Sequence, residues 1–246
     1  MKGWNWDGFW GYFINPYLLE GAIVTIALTA TALVLGLVVG LLLAVMRMSA
    51  GSGRTVARRW LNTALAQFAQ VYIWVFRGTP LLVQLVIIYT GLPQISDSLR
   101  LDVTQSAVLG LVLNESAYLS EIVRAGISAV SKGQREAALS LGLSRWRAFR
   151  LVVWPQAMRI IIPPLGNSVN GLLKATSIVS VISMEELMRR GQILMQERFQ
   201  VLEIFIVVAV LYLGMTTAWE LVQRRIEAHY GRGFGDAALR SARDDR

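Results

Sequence analysis

Apolar residues in this chain gather into long runs. The first extends from Leu18 to Met46 and is interrupted only by Glu20 near its start. At about 1.5 Å per residue, a helix over that run exceeds the roughly 30 Å hydrocarbon core of a bilayer and spans it with room to tilt. Five further runs follow, Leu61–Phe76, Pro80–Ile95, Val103–Val123, Ile160–Ile182 and Val201–Val222. Together they predict an all-α membrane protein. Residues 1–17 come first and carry Trp4, Trp6, Trp10, Tyr12 and Tyr17. That segment reads as an interfacial aromatic belt, because a cleaved signal peptide would have a short apolar core behind a basic start.

Arginine and lysine orient the runs, since they favour the cytoplasmic side. Arg47, Arg54, Arg58 and Arg59 follow the first run with no acid among them. From Arg124 to Arg159, Lys132, Arg135, Arg145, Arg147 and Arg150 are accompanied by one acid, Glu136. If both loops are cytoplasmic, an even number of crossings separates them, so one of the three intervening runs does not cross. Leu61–Phe76 is the weakest, with Asn62, Gln67 and Gln70 inside it and Arg77 directly after. It is expected at the cytoplasmic interface or packed inside the protein, while Pro80–Ile95 spans and Asp97–Asp102 lies outside. The expected architecture has five transmembrane helices, the N-terminus outside and the C-terminus in the cytoplasm. Residues 18–228 form the membrane domain, and 229–246 form a polar cytoplasmic tail of little order.

Composition agrees with this reading. Hydrophobic residues make up 54% and charged residues 16%, against about 25% charged in a typical soluble domain, which argues against a soluble enzyme. The net charge of +8 would otherwise suggest nucleic acid. Here topology accounts for it, because most of the basic residues fall on the cytoplasmic side. No cysteine is present, and His229 is the one histidine, so neither a thiolate metal site nor a histidine cluster is supported. No metal and no cofactor are expected. Gly36-x-x-x-Gly40 in the first run suits close helix packing, read as packing within the chain.

The segment of about residues 131–156 is more than a connection. Ser131-Lys132-Gly133 offers a break, and Gln134 to Leu141 combines helix formers with an apolar stripe. Gly142 is a joint and a C-cap candidate, and Ser144 can cap a second helix beginning Arg145-Trp146-Arg147-Ala148-Phe149. The result would be a knob of two short helices. On physical grounds alone, an amphipathic helix resting on anionic lipid competes with it.

These residues carry a family resemblance. Glu136-Ala137-Ala138, three residues, Gly142, nine residues, then Val152-Val153-Trp154-Pro155 resembles the EAA loop of ABC-importer permeases, with Val and Trp in place of the usual Ile and Leu. Phe76-Arg77-Gly78-Thr79-Pro80-Leu81-Leu82-Val83-Gln84 is similar to the segment that opens the core of the polar amino acid permeases. Leu173-Lys174-Ala175-Thr176-Ser177 resembles another stretch of that family, and Ala117-Tyr118 with Glu121-Ile122-Val123-Arg124-Ala125-Gly126 precedes the loop at the family's spacing. The resemblance covers about residues 15–228 and implies the type I ABC-importer permease architecture in a bacterial inner membrane. It implies a cytoplasmic ABC ATPase dimer as partner, a second permease copy or homologue, and a periplasmic or lipid-anchored substrate-binding protein. It further implies that the EAA helix docks on the ATPase, with Arg135, Glu136, Ala137, Ala138, Gly142 and Arg145 as the coupling residues.

An ionisable side chain inside a span suggests function. Glu115 lies near mid-membrane in the third span, accompanied by Asn114, Ser116, Tyr118 and Ser120. Lys174 lies in the middle part of the fourth, with Thr176 and Ser177 beside it. Two readings stand: a buried Glu115–Lys174 ion pair, or a polar chamber for a zwitterion lined by Asn114, Glu115, Tyr118, Lys174, Thr176 and Ser177. Ala175 replaces the Asp or Thr common in the family and so removes one candidate carboxylate. Glu121 is expected to be structural, neutralised by Arg124. Pro163-Pro164, followed by Gly166-Asn167, is expected to break the fourth helix.

The chain has no G-x-x-x-x-G-K-S/T loop. It is therefore expected to be no enzyme, but the transmembrane subunit of an importer for a polar amino acid, powered by separate ATPases. The alternative is an ion-coupled secondary transporter using Glu115, which leaves the EAA pattern unexplained. An intramembrane enzyme would need a second mid-span catalytic residue, which His229 does not supply.

Overall fold

The computed structural model describes residues 6–53 and 55–231. Trp4 of the aromatic segment, Arg54 of the first basic loop and residues 232–246 of the tail lie outside the described residues. Every regular element among the described residues is helical. A short α1 (Trp6–Phe13) leads into α2 (Pro16–Met48). Asn15 caps α2 by accepting from Tyr17 N at 2.9 Å, and Pro16 supplies a preset φ at its first position. With 33 residues, α2 is about 50 Å long.

Two helical stretches, Gly8–Met48 and Val201–Gly231, are long and apolar enough to cross a membrane alone. Helices α3 (Val56–Gly78) and α4 (Leu81–Ile95) pass the same test together, joined at a bend of 106°. The start of α3 is tied to the end of α2, because Asn62 Nδ2 donates to Ser52 O at 2.7 Å. Near its far end, Tyr72 OH donates to Leu113 O at 2.9 Å, level with the middle of α5 (Val103–Ser128). From the bend, α4 climbs to Asp97–Asp102, beside the N-terminus of α5. The sequence divides these runs into one helix that does not cross and one that does; in the structure they are two limbs of one bent path.

The N-terminus of α5 is fixed by a reciprocal cap. Gln105 N donates to Asp102 Oδ1 at 2.8 Å, and Asp102 N donates to Gln105 Oε1 at 3.1 Å. Helices α2 and α5 pack closely along their lengths. A side-chain carbon on Gly40 would stand 2.9 Å from Ser116 O, so the Gly36-x-x-x-Gly40 pair serves packing within the chain. The main core gathers Leu28, Ala32, Leu85, Leu111, Leu172 and Val179.

After α5 come α6 (Lys132–Ser140) and α7 (Arg145–Ala148). The second short helix is not free-standing as the sequence suggests: it runs through a π-turn at Phe149–Val153 into α8 (Trp154–Ala175). Nor do Pro163 and Pro164 break α8, which carries both prolines inside it. Their φ suits a helix, and the neighbouring α10 (Val201–Gly231) supplies donors beside them. Trp219 Nε1 donates to Gly166 O at 2.8 Å and Gln223 Nε2 to Pro163 O at 3.5 Å. Gly166 leaves room for the Gln223 side chain, since a side-chain carbon there would lie 2.3 Å from it. A 3-10 segment, Thr176–Ile182, continues α8 and ends at Ser183 in the left-handed region. Helix α9 (Leu187–Arg198) then joins the outer parts of α2 and α10.

Candidate functional site

The knob is built as follows. Ser144 Oγ accepts from Arg147 N at 3.3 Å and starts α7. Gly142 ends α6 with φ at +80°, a conformation that favours glycine. Gly142 N donates to Leu139 O at 3.0 Å and Leu143 N to Ala138 O at 3.2 Å, the paired bonds of a Schellman cap. Ala138 is buried, which seats α6 on the protein, while Arg135, Glu136, Ala137 and Arg145 are exposed. Leu141, 84% exposed, and Trp146, 66% exposed, stand on the same protrusion. The knob thus presents charge and apolar surface together, a combination suited to a protein groove.

The residues that the sequence groups as a substrate chamber fall into three places. At the bend, Pro80 has no N–H and holds Thr79 extended. Gln84 Nε2 staples the bend, within 3.0 Å of Phe76 O, 3.1 Å of Thr79 O and 2.9 Å of Thr79 Oγ1. Asn114 joins from α5, donating to Phe76 O and to Gln84 Oε1, both at 3.1 Å. Phe76 O, in the last turn of α3, is thereby satisfied where the chain turns. Beside them the Arg77 guanidinium lies 5.3 Å over the ring of Tyr118, which is exposed.

Glu115 is the second place. It is buried against α2 near Gly36 and accepts from Ser168 Oγ of α8 at 2.5 Å. Lys174 is the third, exposed and in no ion pair among the described residues. The Glu115–Lys174 pair is therefore not made within the chain. Lys174 stands six residues beyond Ser168, about 9 Å further along the helix and a third of a turn around it. It lines a cavity of about 280 Å³ with Ser177, Met188 and Tyr212. Thr176 is buried and donates to Leu173 O, and Ser177 donates to Lys174 O. The six residues grouped as a chamber thus occupy separate positions in one chain.

At the end of the bundle next to the knob, Glu121 is structural. It accepts from Arg124 on its own helix at 2.9 Å and from Arg47 at the end of α2. The sequence analysis missed Glu186. This side chain is fully buried, accepts from Tyr212 OH at 2.6 Å and Thr25 Oγ1 at 3.2 Å, and caps α9 by accepting from Arg189 N at 2.9 Å. The signal was present as Glu185-Glu186 directly before an apolar-periodic stretch. Arg190, also missed, ties α9 to α2 through Tyr17 O at 2.9 Å and Glu20 at 2.8 Å.

The described residues form a helical bundle with a bent path, apolar helices long enough to cross a membrane and a projecting knob. The chain belongs to the family of binding-protein-dependent transport system inner membrane components, whose model matches residues 36–232. It is 40% identical over 223 residues to the glutamine transport system permease protein GlnP of Escherichia coli (strain K12), covering 91% of this chain and 96% of that one. It is 38% identical over 244 residues to the arginine transport system permease protein ArgU of Corynebacterium glutamicum, covering 94% and 74% respectively. Among solved structures, an amino acid ABC transporter with histidines matches with a TM-score of 0.81 at 36% identity, over 93% of this chain and all of that one. The inward-facing MetNI methionine ABC transporter shares the fold, with a TM-score of 0.70 at 19% identity over 87% of this chain and 96% of that one.

Proposed function

We propose that this chain is the transmembrane subunit of an ATP-binding-cassette importer that moves a polar amino acid across a bacterial inner membrane. The observation that carries the reading is the family match over residues 36–232, which takes in the whole knob and both limbs of the bent path. Relatives named for glutamine and for arginine support a polar amino acid as substrate. The family match also disfavours the ion-coupled alternative. Five crossings are assigned to α2, the α3–α4 pair, α5, α8 with its 3-10 extension, and α10. The arginine-rich end is placed in the cytoplasm by the positive-inside preference, which puts the N-terminus outside and the C-terminus inside.

In this account a pair of separate ATPase subunits grips the knob, and a second permease subunit completes the path. Arg135, Glu136 and Arg145 are exposed and meet charged partners, Ala137 allows close approach, and Ala138 with Gly142 fixes α6 to the body. An external binding protein delivers the substrate. Asn114, Glu115, Tyr118, Lys174, Thr176 and Ser177 are assigned to the substrate pathway, with Lys174 and Tyr118 as its exposed members in one chain. A carboxylate of the substrate would meet Lys174.

The test is reconstitution with the cognate ATPase and binding protein in vesicles. ATP turnover is expected to rise when glutamine, arginine or another polar amino acid is supplied. Glu136→Lys or Gly142→Asp should abolish that stimulation while the permease still inserts at its normal level. Unchanged stimulated turnover in both variants would remove the knob from the mechanism, and uptake driven by an ion gradient without any ATPase would favour the alternative.

A further inference from the structure

Between α2 and α10, over the floor of α8, lies an apolar groove of about 750 Å³ that the transport reading leaves unused. Ala30 and Leu33 line it from α2, Gly214 and Ala218 from α10, and Val169 and Leu173 from α8. At one end its two walls converge, where Leu18, Ile204 and Val208 pack together. There Thr25 of α2 and Tyr212 of α10 both donate to Glu186. Beyond that knot the walls separate, and the small residues leave space between them. A side-chain carbon built on Gly214 meets no atom within 4 Å.

The position of the groove around α8 decides what it faces. The exposed edge of α8 is formed by Asn167, Gly171 and Lys174, whereas Val169 and Leu173 face the groove. At about 100° per residue, Leu173 points roughly 200° away from Gly171. The groove therefore opens on the side of α8 opposite its polar edge, where a membrane helix meets hydrocarbon.

Size and charge choose the occupant. The volume lies within the roughly 300–1,000 Å³ of small-molecule sites. A transmembrane helix about 10 Å across and 30 Å long displaces more than ~2,000 Å³. The groove-lining stripe Gly214–Ala218–Val222 continues one turn further to Arg225. Arg225 is exposed and pairs with no carboxylate among the described residues. An apolar slot ending at a free guanidinium matches an acyl chain ending at a phosphate. We propose that the groove binds one acyl chain of an anionic phospholipid whose phosphate meets Arg225, and that this chain braces α2 against α10.

The test is native mass spectrometry of the complete transporter released from bilayers of phosphatidylglycerol and phosphatidylethanolamine. The wild type is expected to retain phosphatidylglycerol. Gly214→Phe, which fills open space, should lose the retained lipid with subunit stoichiometry unchanged. Arg225→Gln should keep a lipid but lose the preference for phosphatidylglycerol. If Gly214→Phe fails to assemble, the smaller filling Ala218→Val is read in the same way and should lower retention. Equal retention in a filled variant, or no retained lipid in the wild type, would overturn the proposal. So would cross-linking between two copies of a Gly214→Cys variant, an unambiguous readout because the chain has no cysteine, since it would show a second permease seated in the groove.

Discussion

A carboxylate with no exposed surface needs several donors, and Glu186 has them from three elements. Tyr212 donates from α10, Thr25 from α2 and the Arg189 amide from α9. One side chain therefore caps a helix and ties α2 to α10. Glu186→Ala would leave the Tyr212 and Thr25 hydroxyls and an α9 amide without their acceptor inside the bundle. The expected cost is about 2–4 kcal/mol, from the lost cap together with the unsatisfied donors. Glu186→Gln keeps an acceptor of the same shape and should cost less than half as much. Thermal unfolding in detergent measures both, and equal losses in the two variants would contradict this role. Glu115 is a simpler case, held by Ser168 alone among the side chains of the described residues. Its choice of Ser168 over Lys174 was not legible in the sequence, because depth along a span does not fix the direction in which a side chain points.

At the scale of elements, long apolar runs made most helices legible. Leu18–Met46 and Val201–Val222 lie within α2 and α10, since no soluble element requires so unbroken a run. Helix α9 was hidden because Arg189, Arg190, Glu197 and Arg198 give it the look of an external loop. The proline pair misled for another reason: proline's fixed φ is compatible with a helix, and the α10 residues that pack on this stretch, Trp219 and Gln223, lie more than fifty residues away in sequence. Neither the bend between α3 and α4 nor its staple was read from the sequence, since Gln84 and Asn114 act only once folded together. Gln84→Leu preserves the bulk of the side chain and removes the donor shared by Phe76 and Thr79. It should lower stability by about 1–3 kcal/mol, the cost of unpaired buried polar groups. The measurement is the detergent unfolding midpoint, and an unchanged midpoint would show that the bend holds without the staple.

Across the whole molecule, a short-helix knob projects from one end of a helical bundle. The knob is joined to α8 through α7 and the π-turn without a flexible linker, so in the proposed mechanism a push on α6 would be carried into the helix that bears Lys174 near its end. Beside the knob, Glu121 fastens the end of α2 to α5 through Arg47. The charge pattern from Arg124 to Arg159 made the loop conspicuous in the sequence, and its Schellman turn at Gly142 was legible because few residues other than glycine tolerate that backbone. The separation of the polar interior residues was not legible, since it depends on how each helix is rotated about its axis. The most direct test of the account uses the absence of cysteine. A single Ala137→Cys on the exposed face of α6, in the assembled transporter, is expected to cross-link to the ATPase subunit and to resist a membrane-impermeant thiol reagent added to intact cells. Labelling from outside the cell, or no cross-link to the ATPase in an assembly that still hydrolyses ATP, would contradict it.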